Sequence, residues 1–498
     1  MRIGFDNDKY IKMQSQHIKE RIGQFGGKLY VEFGGKLFDD THASRVLPGF
    51  QPDSKLKMLL ELKDQAEIVI AVSAEALEIS KCRGDSGITY DLEVLRLIDL
   101  FRSVGLYVGS VVITRNQGYM KAAEGLAAML QKHNIPVYRH YFINGYPNDV
   151  PLIVSEDGFG KNDYIETTRP LVVVTAPGPG SGKLATCLSQ LYHENKRGVK
   201  AGYAKFETFP VWNLPLMHPV NLAYEAATAD LADVNMIDPF HLEAYGKVAI
   251  NYNRDVESFP ILSAIFKKIS GECPYKSPTD MGVNMVGFCV SDDEACQEAS
   301  KQEIVRRYYR EVKAEVEDKR SHEREIATIE KLMNQLDITP EYRKVVSPAV
   351  ELEKAYGAPC AAIELPDGTI ITGKNKEVFG CASAAVLNAL KHLAGIPDDK
   401  ELVPKNLLLP VQGLKTTYLG GKNPRLHIDE ALIVIAVSAA DDEDAAKALK
   451  QLPLLAGLDM HLTVIPSQAE ISTLRKLKIN FTCEPKYSDN TANKLFRL

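Results

Sequence analysis

The sequence predicts a multidomain α/β protein, and three regions of the 498-residue chain carry that prediction. Strand-like apolar runs alternate with helix-like segments over the first 290 residues, as in an α/β domain with a parallel sheet. A charged segment without glycine or proline begins near residue 292, and an α/β pattern returns near residue 346. We therefore predict domains at 1–290, 291–345 and 346–498, in line with about 150 residues per domain.

Seven candidate strands lie in the first domain, and several are nearly continuous runs of valine, isoleucine and alanine. Such runs are expected of strands that are buried on both faces of a parallel sheet. Segments 89–105 and 118–134 have helical spacing. The alternation favours a doubly wound, mostly parallel sheet of the Rossmann-like or P-loop-like kind. The candidate strands are 28–35, 66–74, 107–115, 136–143, 170–178, 201–208 and 247–255.

The middle segment is predicted to be one or two long helices. An apolar stripe with helical spacing runs along it through Ile326, Ile329, Met333 and Leu336. Two interpretations stay open. The segment is either a helical linker packed on its neighbours or a helical hairpin through which the chain forms a homo-oligomer.

The third domain is predicted to contain a hairpin at 359–373, because Pro-Asp-Gly is a turn signal between two strand-like runs. A helix follows at 381–395, and further strands are predicted at 430–439 and 459–466. This rhythm resembles the cytidine-deaminase-like topology, with Cys381 near the helix start. Zinc deaminases require H-x-E and P-C-x-x-C, which the chain lacks, so neither a zinc site nor a haem site is predicted.

Charge and cysteine usage narrow the function classes. The net charge of −6 and the pI of about 6.1 argue against a general nucleic-acid or anionic-membrane binder. The N-terminus has no signal-peptide core, and no apolar run approaches the ~20 residues that span a bilayer. The eight cysteines are scattered without a C-x-x-C pair, as is typical of the reducing cytoplasm. We therefore predict a cytoplasmic protein.

The stretch "VVVTAPGPGSGKLATCLSQLYHENK", residues 172–196, carries the main functional prediction. A strand, a glycine-rich loop and a helix follow one another, which places backbone N–H groups and the positive end of a helix dipole together. The lysine adds a full charge against phosphate oxygens. The predicted phosphate-binding residues are Gly178, Gly180, Ser181, Gly182, Lys183 and Thr186.

The stretch departs from the P-loop pattern G-x-x-x-x-G-K-[ST] at two positions. Pro177 stands at the first glycine, and Leu184 stands where a hydroxyl would coordinate Mg²⁺. Ser181 or Thr186 would have to substitute for that hydroxyl. Two other interpretations stay open, namely a tight strand-to-helix turn with a solvated lysine and a contact with a partner protein.

A polar segment follows the next predicted strand. Glu207 stands at the probable carboxyl edge of that strand, where ligands bind in open α/β sheets. His218 and His241 are candidates for acid–base chemistry, and Lys183 and Glu207 complete the predicted catalytic set. Asp238 ends the strand-like "VNMID" and is a candidate Mg²⁺ ligand. The alternative is that Asp238, followed by proline, caps a helix.

A second polar cluster lies in "EFGGKLFDDTHASRVLPGF". It follows the first predicted strand, so it too is a candidate for facing a ligand at a strand end. The alternative is a glycine-rich turn with surface charges. Its members are Lys36, Asp39, Asp40, His42 and Arg45.

Several blocks of the chain resemble an uncharacterised family of bacterial cytoplasmic proteins of about this length, known as a domain of unknown function. They are "KLYVEFGGKLFDD", "HASRVLPGF", "TAPGPGSGK", "HPVNLAYEAATADLADVNMIDPF" and "PDGTIITGK". The resemblance covers nearly the whole chain and implies several α/β regions with a helical insert, but no reaction. A second resemblance, to P-loop NTPases, covers about 25 residues.

We predict that the chain binds a small phosphorylated ligand, such as ATP or another nucleotide with Mg²⁺. The leading hypothesis is an enzyme that acts on a nucleotide or phosphate substrate. The alternative is a non-catalytic sensor of a phosphorylated metabolite, or an oligomeric scaffold. The sequence leaves open whether the chain is an enzyme.

Overall fold

The computed structural model describes residues 2–34, 37–83 and 87–488. The chain separates into two compact units, residues 2–300 and the residues from 301 onward. Both contain helices and a sheet, so the predicted α/β class is confirmed. Among the described residues, every helix is too short or too polar to cross a bilayer.

A seven-stranded sheet forms the centre of the first unit. Its strand order is β4-β3-β2-β5-β1-β6-β9, and each pair of neighbours runs parallel. The eight residues of β2 are all buried, as its apolar run at residues 68–72 predicts, and the burial extends to Glu67 and Ser73. The strands of this unit are β1 (Leu29–Phe33), β2 (Ala66–Ser73), β3 (Tyr107–Asn116), β4 (Val137–Tyr141), β5 (Leu171–Thr175), β6 (Gly202–Phe206), β7 (Asn235–Ile237), β8 (Ile250–Tyr252) and β9 (Gly282–Val283).

Six of the seven candidate strands belong to this sheet, and the seventh does not. The candidate at 247–255 contributes only β8, which pairs antiparallel with β7 in a separate two-stranded sheet. The last strand of the seven-stranded sheet, next to β6, is β9 instead. Two residues are too short for a hydrophobic period, so the sequence carries no signal for this strand.

Helices connect the strands of the first unit. They are α1 (Asn7–Gln24), α2 (Thr41–Val46), α3 (Ser54–Glu61), α4 (Ala74–Glu78), α5 (Tyr90–Ser103), α6 (Lys121–Lys132), α7 (Val150–Ile153), α8 (Lys183–Lys196), α9 (Pro219–Ala227), α10 (Pro239–Tyr245), α11 (Asn253–Ser270) and α12 (Pro278–Met281). Short 3₁₀ turns lie at Phe159–Lys161, Ala229–Leu231 and Val286–Phe288.

The strand order creates two crevices at the carboxyl edge of the sheet. β5 leads through α8 to β6, whereas its neighbour β2 leads through α4 and α5 to β3 on the other side. β1 and β6 diverge in the same way, because β1 leads to β2 on one side and β6 leads towards β9 on the other. Ligands of open α/β sheets bind where neighbouring strands lead away in opposite directions. The loop after β5 and the end of β6 therefore occupy the positions that this topology favours for a ligand.

Two helices follow the first sheet, as the sequence predicts for the middle segment. They are α13 (Asp293–Glu317) and α14 (Glu323–Gln335). The long α13 begins in the first unit and ends in the second. Of the predicted apolar stripe, Ile329 and Met333 are buried on α14, whereas Ile326 and Leu336 are partly buried.

The second unit contains a four-stranded sheet of order β11-β10-β12-β13. β10 pairs antiparallel with both neighbours, and β12 pairs parallel with β13. The strands are β10 (Cys360–Glu364), β11 (Ile370–Lys374), β12 (Asp459–Leu462) and β13 (Asn480–Cys483). The helices are α15 (Val346–Tyr356), α16 (Cys381–Leu393), α17 (Lys405–Gly413), α18 (Ile428–Ser438), α19 (Glu443–Leu449) and α20 (Gln468–Lys476), with 3₁₀ turns at Pro340–Tyr342 and Leu452–Leu455 and a π-helical turn at Leu414–Tyr418.

One predicted strand of the second unit is wrong. The apolar run at 430–439 forms most of α18. A capping box starts this helix, in which Glu430 accepts from the N–H of His427 at 2.7 Å. Short apolar runs do not separate strands from helices by period, so the cap decides the structure here. The predicted hairpin at 359–373 and the helix after it are confirmed by β10, β11 and α16.

Candidate functional site

The loop between β5 and α8, residues 176–182, is here called the glycine loop. Gly180 and Gly182 both have left-handed backbones, with φ of 78° and 86°. They flank the buried Ser181, and Gly182 is the N-cap of α8. Left-handed residues that alternate with ordinary ones turn successive N–H groups into an anion-binding nest. The two glycines of the local sequence therefore allow a left-handed, ordinary, left-handed succession at residues 180–182.

Contacts with the neighbouring strand and helix hold this loop in place. The carbonyl of Ser181 accepts a hydrogen bond from Thr114 Oγ1 of β3 at 2.9 Å, and Ser181 Oγ donates to the carbonyl of Gly178 at 2.9 Å. A Cβ atom at Gly182 would lie 2.9 Å from Thr114 Oγ1, and one at Gly178 would overlap the hydroxyl of Tyr90. Glycine is thus required at both positions by close approach.

The N–H groups of the loop are left without acceptors. Across the described parts of the chain, those of Gly180, Ser181, Gly182 and Lys183 donate to no other residue. The ammonium of Lys183 is partly exposed and likewise has no ion-pair partner among the described residues. One turn further along α8, the buried Thr186 Oγ1 has no hydrogen-bond partner there either. The loop therefore presents a positively polarised, unsatisfied surface.

A buried charge cluster lies at the end of β6, in the crevice between β6 and β1. Lys205 Nζ lies 2.7 Å from Glu207 Oε1 and 2.5 Å from Asp255 Oδ2. The hydroxyl of Tyr252 accepts from Lys205 and donates to Glu207 Oε1 at 2.8 Å. The three charged side chains are only 15–19% exposed. We call these four residues the lysine–carboxylate cluster.

The lysine–carboxylate cluster has more negative than positive charge. Burial raises the pKa of Glu207 to about 7, with Lys205 opposing the shift and Asp255 adding to it. Burial alone would lower the pKa of Lys205, but the two carboxylates outweigh it and hold that pKa well above its ordinary value. In the same crevice, Glu32 of β1 accepts from the hydroxyl of Tyr203 at 2.9 Å. Glu207 is therefore a carboxyl group poised to exchange protons near neutral pH.

Residues 3–337 match the family described as "Domain of unknown function DUF1846, N-terminal", and residues 341–493 match the corresponding C-terminal domain. The chain belongs to the DUF1846 family. A UPF0371 protein of Streptococcus thermophilus is 57% identical over 493 residues, which are 99% of each chain. A UPF0371 protein of Streptococcus pneumoniae is 56% identical over 483 residues, 97% of each chain. The resemblance to an uncharacterised bacterial family is confirmed, and the family description states no reaction.

The two predicted catalytic histidines of this DUF1846 chain lie in other surroundings. His218 is the N-cap of α9, and its Nε2 lies 2.9 Å from Asp293 Oδ1. Burial lowers the pKa of His218, and Asp293 opposes this effect. His241 is buried in α10, with Nδ1 3.0 Å from Ser277 Oγ. Within the described residues, neither ring forms a hydrogen bond or ion pair with Lys183 or with the lysine–carboxylate cluster.

Asp238, the predicted metal ligand, is the N-cap of α10. One carboxylate oxygen accepts from the N–H groups of Phe240 and His241, both at 3.0 Å. The other accepts from Thr279 N at 3.2 Å and from its hydroxyl at 2.7 Å. The side chain is fully buried. This is the helix-capping alternative that the sequence left open. In the part of the chain that the structure describes, no group of three or more metal-ligating side chains is placed to hold a metal.

Some residues of the second polar cluster of this DUF1846 chain have structural roles, and the segment that precedes them lies near Glu207. Asp40 caps α2 and pairs with Lys55 Nζ at 2.7 Å. Burial acts to raise the pKa of Asp40, but Lys55 outweighs it and the pKa is lowered. The ring of His42 lies 5.2 Å from Phe209, Asp39 is exposed, and Arg45 is in the last turn of α2. Lys36 lies outside the described residues.

The segment just before this cluster, at the end of β1, adjoins Glu207. Gly34 N donates to the carbonyl of Phe206 at 3.1 Å, and a Cβ at Gly34 would lie 3.9 Å from Glu207 Cγ. The polar segments that follow β1 and β6, both identified in the sequence, therefore lie at the same edge of the sheet. The sequence analysis missed Tyr252, which is the last residue of β8, and Asp255, which lies in the first turn of α11. A strand end with a polar continuation was the signal that could have found them.

Proposed function

We propose that this DUF1846 protein binds a phosphate-containing ligand at the glycine loop and acts on it as a nucleotide- or phosphate-substrate enzyme. One observation carries the proposal. The N–H groups of residues 180–183 and the Lys183 ammonium have no partner in the described chain, and they lie at the N-terminus of the 14-residue helix α8. An anion at this position satisfies several donors at once and meets the helix dipole favourably.

The lysine–carboxylate cluster supports the enzymatic part of the proposal. Glu207 Oε1 accepts from Lys205 and Tyr252, while Glu207 Oε2 accepts no hydrogen bond from a described residue. A carboxyl group with a pKa of about 7 gives and takes a proton near neutral pH. Glu207 is therefore the proposed general acid or base. His218 and His241, both engaged in structural contacts, are the weaker candidates.

The residues present fit the phosphate part of a nucleotide better than its Mg²⁺ ion. The unpaired N–H groups and Lys183 suit phosphate oxygens. At the position of the usual metal-binding hydroxyl the chain has Leu184, which cannot coordinate a cation. A magnesium ion that arrives with a nucleotide would supply charge neutralisation, with Thr186 as the nearest hydroxyl along α8.

Lys183→Ala tests the proposal through binding and turnover together. We expect tripolyphosphate and ATP to bind at least tenfold more weakly, because a charge-assisted hydrogen bond is lost. Where turnover is found, loss of one preorganised donor lowers it by about a hundredfold or more. The matched control is Lys196→Ala, at the opposite end of α8, where the lysine pairs with Glu156 on the surface. Wild-type affinity in Lys183→Ala contradicts the proposal.

A second candidate function is a non-catalytic sensor of a phosphorylated metabolite, and the leucine at position 184 favours it. Thermal-shift measurements with and without Mg²⁺ separate the two. A ligand that raises the melting temperature only with Mg²⁺ and is slowly turned over supports the enzyme. A shift that needs no metal and comes without turnover supports the sensor.

A further inference from the structure

An open surface groove of about 460 Å³ lies at the carboxyl ends of β3 and β4. Its volume falls within the range of small-molecule sites. This groove lies on the same edge of the sheet as the glycine loop, because β3, β2 and β5 are neighbours that run parallel and their carboxyl ends share one edge. We call it the aromatic cavity, and its lining residues are Asn116, Gln117, Tyr141, Phe142 and Lys161.

Two aromatic rings of the cavity are unusually open to solvent. Tyr141 is 41% exposed and Phe142 is 51% exposed. The backbone of Phe142 is fixed, since its N–H donates to the carbonyl of Asn116 at 3.1 Å. On the loop after β3, Tyr119 is 81% exposed. Aromatic faces presented by fixed backbone are the platforms on which nucleobases stack.

Polar groups with unused hydrogen-bonding capacity lie beside these rings. The amide nitrogen of Asn116 donates to the carbonyls of Ile113 and His140, at 2.5 and 3.1 Å, which fixes the side chain. Its Oδ1 accepts no hydrogen bond from a described residue, and the amide of Gln117 pairs with none of them. An acceptor and a free amide match the donor and acceptor edge of a nucleobase.

The glycine loop and the aromatic cavity are close enough for one ligand. Thr114 of β3 holds the Ser181 carbonyl of the loop at 2.9 Å. Asn116, in the cavity, lies two residues further along β3, and the left-handed Arg115 between them interrupts the regular strand, so the two Cα atoms are at most about 7 Å apart. A ribose that separates a phosphate from its base spans a distance of this order. Phosphate on the loop and base in the cavity are therefore compatible within one molecule.

We infer that the ligand of the glycine loop is a nucleoside phosphate whose base stacks on Tyr141 and Phe142. The base edge meets Asn116 and Gln117, and the phosphates lie against Lys183 and the N–H groups of the loop. This inference rests on the proposed function, because the phosphate part of the ligand is the same, and it adds the base as a second recognised group.

Isothermal titration with ATP, GTP, CTP, UTP and tripolyphosphate tests the inference. In the wild-type protein at least one nucleotide binds about tenfold or more tightly than tripolyphosphate, because stacking adds to phosphate binding. Phe142→Ala and Tyr141→Ala each lower the affinity for that nucleotide by about five- to a hundredfold and leave the affinity for tripolyphosphate unchanged. Both side chains are exposed, so the fold tolerates their loss. The control is Tyr107→Ala, an exposed aromatic at the opposite end of β3.

The outcomes separate this inference from the proposed function. If tripolyphosphate binds in a Lys183-dependent way but no nucleotide binds more tightly, the phosphate site stands and the base site is overturned. The base site is also overturned if both aromatic variants bind every nucleotide as the wild type does. If neither tripolyphosphate nor any nucleotide binds the wild-type protein, the proposed function fails and the inference fails with it.

Discussion

Glu207→Gln tests whether the lysine–carboxylate cluster holds an excess of buried negative charge. The substitution keeps the shape of the side chain and leaves an oxygen that can accept from Tyr252 and Lys205. It removes the titrating proton. The variant therefore isolates the electrostatic contribution of one carboxyl group from the packing around it.

The magnitude follows from the pKa of Glu207, which burial raises from about 4.5 to about 7. The folded state keeps the proton that the unfolded state has already lost between these two values. The contribution to the free energy of unfolding is therefore fully present below about pH 4.5 and is lost as the pH rises through about 7. Each tenfold change in the dissociation constant of the carboxyl group is worth about 1.4 kcal/mol, so the full loss is at most about 3–4 kcal/mol. The interaction of Glu207 with its charged neighbours lowers it.

Urea unfolding between pH 4.5 and 8 measures this difference, followed by the fluorescence of Trp212. That residue is the chain's only tryptophan and lies in the first unit, so the signal reports the unit that contains Glu207. The wild type should lose up to about 3 kcal/mol relative to Glu207→Gln across this range. Glu243→Gln, at an exposed glutamate of α10, is the matched control. A difference between wild type and Glu207→Gln that does not change with pH would refute the reasoning.

Three further substitutions address the loop, the cluster and a helix cap. Gly182→Ala should destabilise the first unit by about 1–2 kcal/mol and weaken tripolyphosphate binding, because alanine resists a φ of 86°. Lys205→Met should cost about 3–5 kcal/mol at pH 8, since two buried carboxylates lose their counter-ion, and less at pH 5, where Glu207 is protonated. Asp238→Ala should cost about 2 kcal/mol through the lost N-cap of α10 and leave tripolyphosphate binding unchanged.

Urea unfolding and isothermal titration check all three. Gly246→Ala is the control for Gly182→Ala, because Gly246 is also left-handed but meets no neighbouring atom and lies away from the glycine loop. It should lose stability without losing tripolyphosphate binding. Wild-type binding in Gly182→Ala, pH-independent destabilisation in Lys205→Met, or weakened tripolyphosphate binding in Asp238→Ala would each contradict the structural argument for that residue.

Much of the fold was predictable because long elements carry a strong period. The buried runs of β2 and β5 and the helices α5, α6 and α16 follow from composition and spacing alone. Short or ambiguous elements were not predictable. Two-residue β9 has no period, and the apolar run of α18 suits a strand until its capping box is considered.

The candidate site was predictable only where one stretch of chain supplies it. The glycine loop could be identified because its strand, glycines and lysine are consecutive. The lysine–carboxylate cluster joins β6 to residues about 50 positions later. A polar strand end marks each segment as a candidate, but nothing in the local sequence shows that the two segments meet. The polar residues that end β3 and β4 likewise meet only through the pairing of those strands. Such sites become visible once strand order is known.

A crystal structure of the protein with a non-hydrolysable ATP analogue tests the central claim most directly. We expect a phosphate oxygen within hydrogen-bonding distance, about 3 Å, of the N–H groups of Ser181 and Gly182, with the Lys183 ammonium on the same phosphate. An analogue bound elsewhere at full occupancy, with the glycine loop free of phosphate, would contradict it.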